Sequence, residues 1–259
     1  MVNFESTIDL RSDKNEIESS IKTEKLSVII PVYNEAAHIK SVLDGIREVV
    51  LPNSVEKEII VVDDSSTDGT AAILARYKNT PEMKIFHHDK NKGKTAAVLR
   101  GIKESTGTII VLQDGDLEYR PTEYPKLLDP ILSGRTKVVF GSRWLGSIKK
   151  MKLINRIANR ISTATVNLLL GAQLTDVFCC HKAFRREVLN GIEITSKNFA
   201  FDSELTVKLL SLGYRIEEVP IGYIARSKSD GKKMTWPFAL QMYGGLLKYK
   251  FAKNNKRTS

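Results

Sequence analysis

The chain has 259 residues, 42% hydrophobic and 27% charged, and its 40 Lys+Arg against 30 Asp+Glu give a net charge of +10. That apolar fraction, with only 16 Gly and 8 Pro, excludes a disordered, fibrous or low-complexity chain, and the length supplies ample core for one large α/β domain or two small ones. Two adjacent cysteines, Cys179 and Cys180, exclude a disulfide framework and a four-ligand zinc site. No apolar run reaches the roughly 18–20 residues that cross a bilayer, and Glu5, Asp9, Asp13 and Glu16 are unlike a signal peptide. A cytoplasmic protein, at most peripheral at the membrane face, is expected. From Arg226 onward nine basic residues stand against one acid, Asp230, which favours polyanionic partners.

Residues 1–25 lack sustained periodicity and are expected to form a leader. Buried-strand patterns follow at 26–32, 58–62, 83–87, 108–112 and 137–140. Helical patterns fall between them at 36–50, 67–77, 94–104 and 123–133. Short β-branched runs alternating with helices of 10–15 residues predict a mostly parallel central sheet with helices on both faces, an α/β fold. The back half is less regular: a helix at 153–170, an extended stretch at 175–184, a helix at 201–212 and a strand at 214–223. A basic loop at 226–233 precedes a last amphipathic helix from about 236. No repeat or Gly/Ser-rich linker divides the chain, so residues 26–235 are expected to form a single domain, with 236–259 as helix and basic tail.

Open sheets bind ligands beyond the carboxyl ends of their strands. Those ends carry Tyr33-Asn34-Glu35, Asp63-Asp64-Ser65-Ser66, Gln113-Asp114-Gly115-Asp116 and Gly141-Ser142-Arg143. Each taken alone suits a turn or a helix cap, but four polar strand ends on one rim point to a site. Asp114 and Asp116, two apart around Gly115, suit a hard divalent cation, with Glu118 as a third ligand or its support. Such a cation binds through one or two carboxylates plus phosphate oxygens, so a nucleoside diphosphate ligand is expected.

Taken together, SVIIPVYNE (27–35), EIIVVDDSSTDGT (58–70), the Gly93-Lys94 helix start, QDGDLEY (113–119) and GSRW (141–144) resemble family 2 glycosyltransferases. More narrowly they resemble the polyprenyl-phosphate (dolichyl-phosphate) mannose synthase branch, over roughly residues 26–251. The resemblance implies a GT-A fold, a Rossmann-like sheet whose half at 26–143 binds the nucleotide sugar and whose half at 144–235 serves the acceptor. It puts Pro31, Tyr33, Glu35, Val62 and Asp64 around the nucleoside, with Lys94 at the donor. It gives Mg²⁺ or Mn²⁺ to Asp114, Asp116 and Glu118. Arg143 is to reach phosphate, and Asp202 or Glu204 to lie near the sugar hydroxyls; Asp116, Arg143 and Asp202 are the candidate catalytic residues. Arg156 and Arg160, four apart on one helix face, with Arg226, Lys232 and Lys233, are the candidates for an acceptor phosphate.

Cys179-Cys180-His181 departs from the pattern common in mannose synthases, which leaves the donor open between GDP-mannose and UDP-glucose. His181 is expected as a hydrogen-bonded, partly buried residue and the cysteines as core. A lipid phosphate is already an anion and needs no general base, whereas a sugar hydroxyl does; the excess of acceptor-side cations favours the phosphate. Trp236, Phe238, Met242 and Tyr243 among lysines fit a helix lying in an anionic membrane interface, served by a separate membrane protein. The alternatives are a family 2 enzyme with a saccharide or other hydroxyl acceptor, and a non-enzymatic anion-binding module. Nucleic acid is not an expected partner, and the absence of G-x-G-x-x-G after the first strand argues against a dinucleotide.

Overall fold

The computed structural model describes residues 24–52, 55–196 and 200–226. The expected leader to residue 23, Lys232 and Lys233, and the helix expected from 236 lie outside these residues. The elements are β1 (Lys25–Val32), α1 (Ile39–Glu48), β2 (Glu56–Asp63), α2 (Thr70–Ala75), β3 (Met83–His87), α3 (Lys94–Glu104), β4 (Ile109–Leu112), α4 (Tyr124–Leu132), β5 (Val138–Lys149), α5 (Leu153–Leu170), β6 (Lys182–Arg185), α6 (Phe201–Ser211) and β7 (Ile216–Ile224). They build a seven-stranded sheet in the order β3-β2-β1-β4-β6-β5-β7.

β1 lies between β2 and β4, parallel to both, so both its faces are covered and its sequence reads as an unbroken apolar run. Alternation along the strand separates two cores. Leu26, Val28, Ile30 and Val32 pack with Ile39, Val42, Leu43 and Ile46 of α1 and with Leu127, Leu128 and Ile131 of α4. Ile29 joins Ile60, Val62 and Ile110 against Ala97 and Val98 of α3 and Leu205 and Leu209 of α6. The buried α1 residues recur at i, i+3, i+4 and i+7, which is why the helical period was legible.

The back half differs from the sequence expectation in two ways. β6 occupies only the end of the stretch expected over 175–184 and runs antiparallel to both β4 and β5. β5 runs on past residue 140 to Lys149, because β7 pairs with it in parallel on both sides of a register shift between Ser142 and Ser147. Gly141-Ser142-Arg143 therefore belongs to a bulged strand rather than to a strand end, and such a bulge re-aims the side chains within it. Gly146 permits the arrangement: a Cβ there would stand 2.1 Å from the Ile221 carbonyl oxygen.

At the opposite, amino end of the sheet, buried Glu58 ties three segments together. It accepts from the Ser27 hydroxyl at 2.6 Å, from the Gly107 amide at 3.1 Å and from Lys84 Nζ at 3.1 Å. Burial alone would raise this carboxyl, but the Ser27 hydroxyl, the Thr106 amide, Lys84 and Lys25 overcome it and hold it at about 2. A depressed folded-state value contributes stability that is complete above the unfolded value near 4.5 and is lost as pH falls through about 2. Glu58→Gln is expected to cost on the order of 2 kcal/mol at pH 7. In urea unfolding at stepped pH, the gap from the parent chain should narrow steadily between about pH 4.5 and pH 2.

Candidate active site

The carboxyl ends of β1, β2 and β4 supply the rim. Asn34, at φ 50°, joins the first two: its amide donates to Ser66 Oγ at 2.8 Å, and its Oδ1 accepts from the Thr67 amide at 2.7 Å. The Glu35 amide donates to Thr70 Oγ1 at 2.9 Å, fixing where its carboxylate starts. After β4, buried Gln113 donates to the carbonyls of Asp114 and Tyr119 at 3.1 and 3.3 Å and accepts from Tyr124 Oη at 3.0 Å. The 114–119 turn is thus pinned from beneath. Gly115 is present for close approach, since a Cβ would lie 3.3 Å from Val32 Cγ2.

Four carboxylates and two cations from the described residues meet on this rim. Lys94 Nζ donates to Asp114 Oδ1 at 2.5 Å. Arg226, just after β7, spans three acids: Nη1 to Glu35 Oε2 at 2.9 Å, Nη2 to Asp116 Oδ2 at 2.5 Å, and its amide to Glu118 Oε1 at 2.8 Å. Tyr223 Oη also donates to Glu118, at 3.0 Å. Burial would raise the Asp114 carboxyl, but Lys94 beside it holds it below its ordinary value; Asp114 in turn holds the Lys94 ammonium well above its own despite burial. Asp116 is pushed up to about 7, first by burial and then by the Asp114 charge, against the opposing pull of Arg226.

The three carboxylates expected at the metal are turned to different cations. Among the described residues no three His, Cys, Asp or Glu side chains gather around a common point. The reason is electrostatic: Asp114 turns to Lys94, while Asp116 and Glu118 turn to Arg226. The donor set still fits a hard divalent ion. All its atoms are carboxylate oxygens, and the six ionic groups, four acids and two cations, sum to a formal −2.

The other expected residues divide. Pro31, Lys94, Asp114, Cys180 and Asp202 line one small cleft, and Tyr33 stands 37% exposed at the rim. Val62 is wholly buried in the second core rather than open to a ligand. Asp64 is spent on the turn before α3, accepting from the Lys92 and Gly93 amides at 2.8 and 2.7 Å and pairing with His88 Nδ1 at 2.7 Å. Arg143, in the β5 bulge, gives its Nε and Nη2 to Asp176 at 2.7 Å each, so a buried bidentate pair holds the guanidinium expected at a phosphate. Asp202 accepts from Lys182 Nζ at 2.9 Å, while Glu204 is occupied by the Thr195 and Ser196 amides at 3.0 and 2.7 Å. Arg156 is half-buried and Arg160 exposed; the first reaches the Ile148 carbonyl at 3.4 Å and the second lies 4.3 Å over the Trp144 ring.

Three residues carry more than their sequence context signalled. Lys182 is fully buried, 4.6 Å from the Phe140 ring centre, and nothing in a strand of lysine, alanine and phenylalanine announces a charged core residue. Cys179 is core as expected, pushed up to about 12 by burial, but Cys180 faces the cleft with its thiol 3.7 Å from Asp202 Oδ2. His181 is not hydrogen-bonded as expected. Among the described residues neither ring nitrogen has a partner, its edges meet Tyr119 and Tyr124 at 5.6 Å, and burial lowers it to about 4.

A seven-stranded, mostly parallel sheet with an acidic rim at its strand ends defines an α/β protein with a charged site, and the comparisons with known proteins give its family. The family model described as "Glycosyl transferase family 2" matches residues 27–192. This chain belongs to glycosyltransferase family 2. The match ends before α6 and β7, so Asp202 and Arg226 lie beyond it. Curated relatives include a dolichol-phosphate mannosyltransferase from Pyrococcus furiosus, 29% identical over 212 residues. That alignment covers 80% of this chain but 59% of the Pyrococcus protein. An undecaprenyl-phosphate mannosyltransferase from Micrococcus luteus is 28% identical over 80% of this chain and 87% of its own. Glucosyl-3-phosphoglycerate synthase from Mycobacterium tuberculosis, solved with Mn²⁺, UDP-glucose and phosphoglyceric acid, superposes with a TM-score of 0.68 at 23% identity, over 91% of this chain and 83% of that one. The same enzyme with Mg²⁺ and UDP gives 0.68 at 23% identity, over 91% and 82%. The fold is GT-A.

Two outcomes follow for metal binding, both read as free Mn²⁺ by electron paramagnetic resonance without nucleotide. Arg226→Gln, measured at pH 8, removes a competing cation and is expected to tighten binding by about tenfold. In the parent chain, affinity should fall roughly tenfold per pH unit below about 7, where Asp116 must first lose its proton.

Proposed function

We propose that this glycosyltransferase moves a hexose from a nucleotide sugar, GDP-mannose or UDP-glucose, to a polyprenyl phosphate with inversion at the anomeric carbon. The observation that carries this reading is the rim itself: four carboxylates only partly offset by two side-chain cations, Lys94 on Asp114 and Arg226 on Glu35, Asp116 and Glu118. Mg²⁺ or Mn²⁺, when bound through Asp114 and Asp116 with Glu118 in support, supplies Lewis-acid neutralisation of the departing diphosphate. The named curated relatives act on dolichol and undecaprenyl phosphates, and solved relatives of the fold hold Mg²⁺ or Mn²⁺ with UDP.

The chain's own residues have distinct tasks in this reading. Lys94 fixes Asp114 at the head of the cleft beside Pro31, where the donor diphosphate is to lie. Arg226, which holds Glu35, Asp116 and Glu118, would turn to the acceptor phosphate when those acids serve a divalent ion, with Arg156 and Arg160 beside Trp144 completing that anion site. Arg143 acts at one remove, since its pair with Asp176 stiffens the β5 bulge from which Trp144 projects. The acceptor attacks as an anion, so no side chain must remove a proton.

Asp202 speaks against a hydroxyl acceptor. It lines the cleft, yet its Oδ1 is already held by Lys182 Nζ at 2.9 Å, an ion pair that a carboxylate receiving a hydroxyl proton would have to leave.

Radiolabelled GDP-mannose and UDP-glucose, each offered with undecaprenyl phosphate or with free saccharides, should label only the organic-extractable lipid, and with one of the two donors. Asp114→Asn and Asp116→Asn are each expected to lower that transfer by about 10²–10³-fold, as is excess chelator. Unchanged transfer in both variants would remove the metal assignment; label in a saccharide would remove the acceptor.

A further inference from the structure

The amphipathicity of α5 is inverted. Leu153, Ile154, Ile157, Ile161 and Leu168 are 71, 48, 47, 57 and 86% exposed, and at helical spacing they form one outward stripe. The face turned to the body is mostly polar, with Asn159, Ser162, Thr163 and Val166 buried. That polar face is fastened: Trp144 Nε1 donates to Asn159 Oδ1 at 3.2 Å, and the Val177 amide to Thr163 Oγ1 at 3.4 Å. The helix therefore does not turn its aliphatic side inward without breaking these bonds.

Charge gives the partner its chemistry. Between residues 145 and 175 the sequence contains Lys149, Lys150, Lys152, Arg156 and Arg160 and not one acid. Lys149, Lys150 and Lys152 are exposed and crowd the amino end of α5, whose first turn has no acidic residue. The helix dipole makes that end positive, so these cations work against the helix and call for an external anion. Leu145, beside Trp144 in the β5 bulge, is a further exposed aliphatic residue of this segment. No helix among the described residues is long and apolar enough to cross a membrane.

We propose that the outward face of α5 seats the protein on an anionic lipid bilayer, its aliphatic stripe entering the acyl boundary and its lysines meeting headgroup phosphates. This deepens the lipid-acceptor reading and rests on it for purpose, since it sets the rim beside the surface from which a polyprenyl phosphate protrudes. It assigns the interfacial role to α5, whereas the sequence reading gave that role to the helix expected from residue 236.

The test is co-sedimentation of the full chain with vesicles of phosphatidylglycerol and phosphatidylcholine, or of phosphatidylcholine alone, free of polyprenyl phosphate. The parent chain should bind the anionic vesicles preferentially. Ile157→Asp/Ile161→Asp should weaken that binding at least tenfold, and Lys149→Ala/Lys150→Ala/Lys152→Ala should erase the preference for anionic lipid. Melting by circular dichroism checks that both variants fold, and transfer to a short, water-soluble prenyl phosphate should persist in both. Parent-level vesicle binding by the aspartate variant overturns the proposal, as does a parent dimer that this variant dissociates in light scattering, which would give the face to a second copy. Vesicle binding lost in the variant, with no prenyl phosphate ever glycosylated by the parent, upholds the docking face and removes the lipid-acceptor reading instead.

Discussion

Like charges crowded in a protein rim repel one another, and the organisation of this site follows from how that repulsion is relieved. Asp114, Asp116, Glu118 and Glu35 come from two different strand ends, and the fold supplies one cation from α3 and one from beyond β7 to hold them. The distribution is uneven. Asp114 has a lysine of its own, whereas Arg226 is shared among three acids, and burial with the neighbouring Asp114 charge lifts the Asp116 carboxyl to about 7 despite it. A site whose acids are shared between a proton and an arginine is one whose occupancy a charged ligand readily changes.

Beneath the rim, two more ion pairs are fully buried and answer a different need. Arg143 with Asp176, and Lys182 with Asp202, each cost desolvation that their geometry must recover, so they are better understood as fixing position than as adding stability. The first locks the β5 bulge to the segment after α5. The second holds Asp202 against the cleft wall and keeps it neutralised. Both come from the irregular back half of the sheet, where β6 reverses direction and β5 pairs with β7 across a register shift. The front half places its strand ends by hydrogen-bond registers; the back half aims side chains by bulges and ion pairs.

The inverted α5 connects this architecture to its surroundings. A helix that buries asparagine, serine and threonine while exposing leucine and isoleucine has its apolar demand met outside the protein. Its neighbour along the chain is the bulge carrying Arg143 and Trp144, so whatever covers that face lies next to the chemistry.

Much of this was legible in the amino-acid order. Short unbroken apolar runs and 3.6-residue patterns located β1 to β4 and α1 to α4 because those elements are buried by local rules, and acids after apolar runs marked the rim. The helix over 153–170 was legible as a helix, but not which face it buries, since periodicity reports that two faces differ and is silent on what each one meets. The family resemblance put Val62, Asp64 and Arg143 at ligands, and what it could not tell is that Val62 packs in the second core, Asp64 holds the turn before α3 and Arg143 pairs with Asp176. Lys182 and the true setting of Cys180 had no local signal at all. Partners such as Asp176 for Arg143, or Arg226 for Glu35 191 residues away, are chosen by chain crossings that only the folded sheet decides, because a Coulomb interaction depends on distance in space and not on separation along the chain.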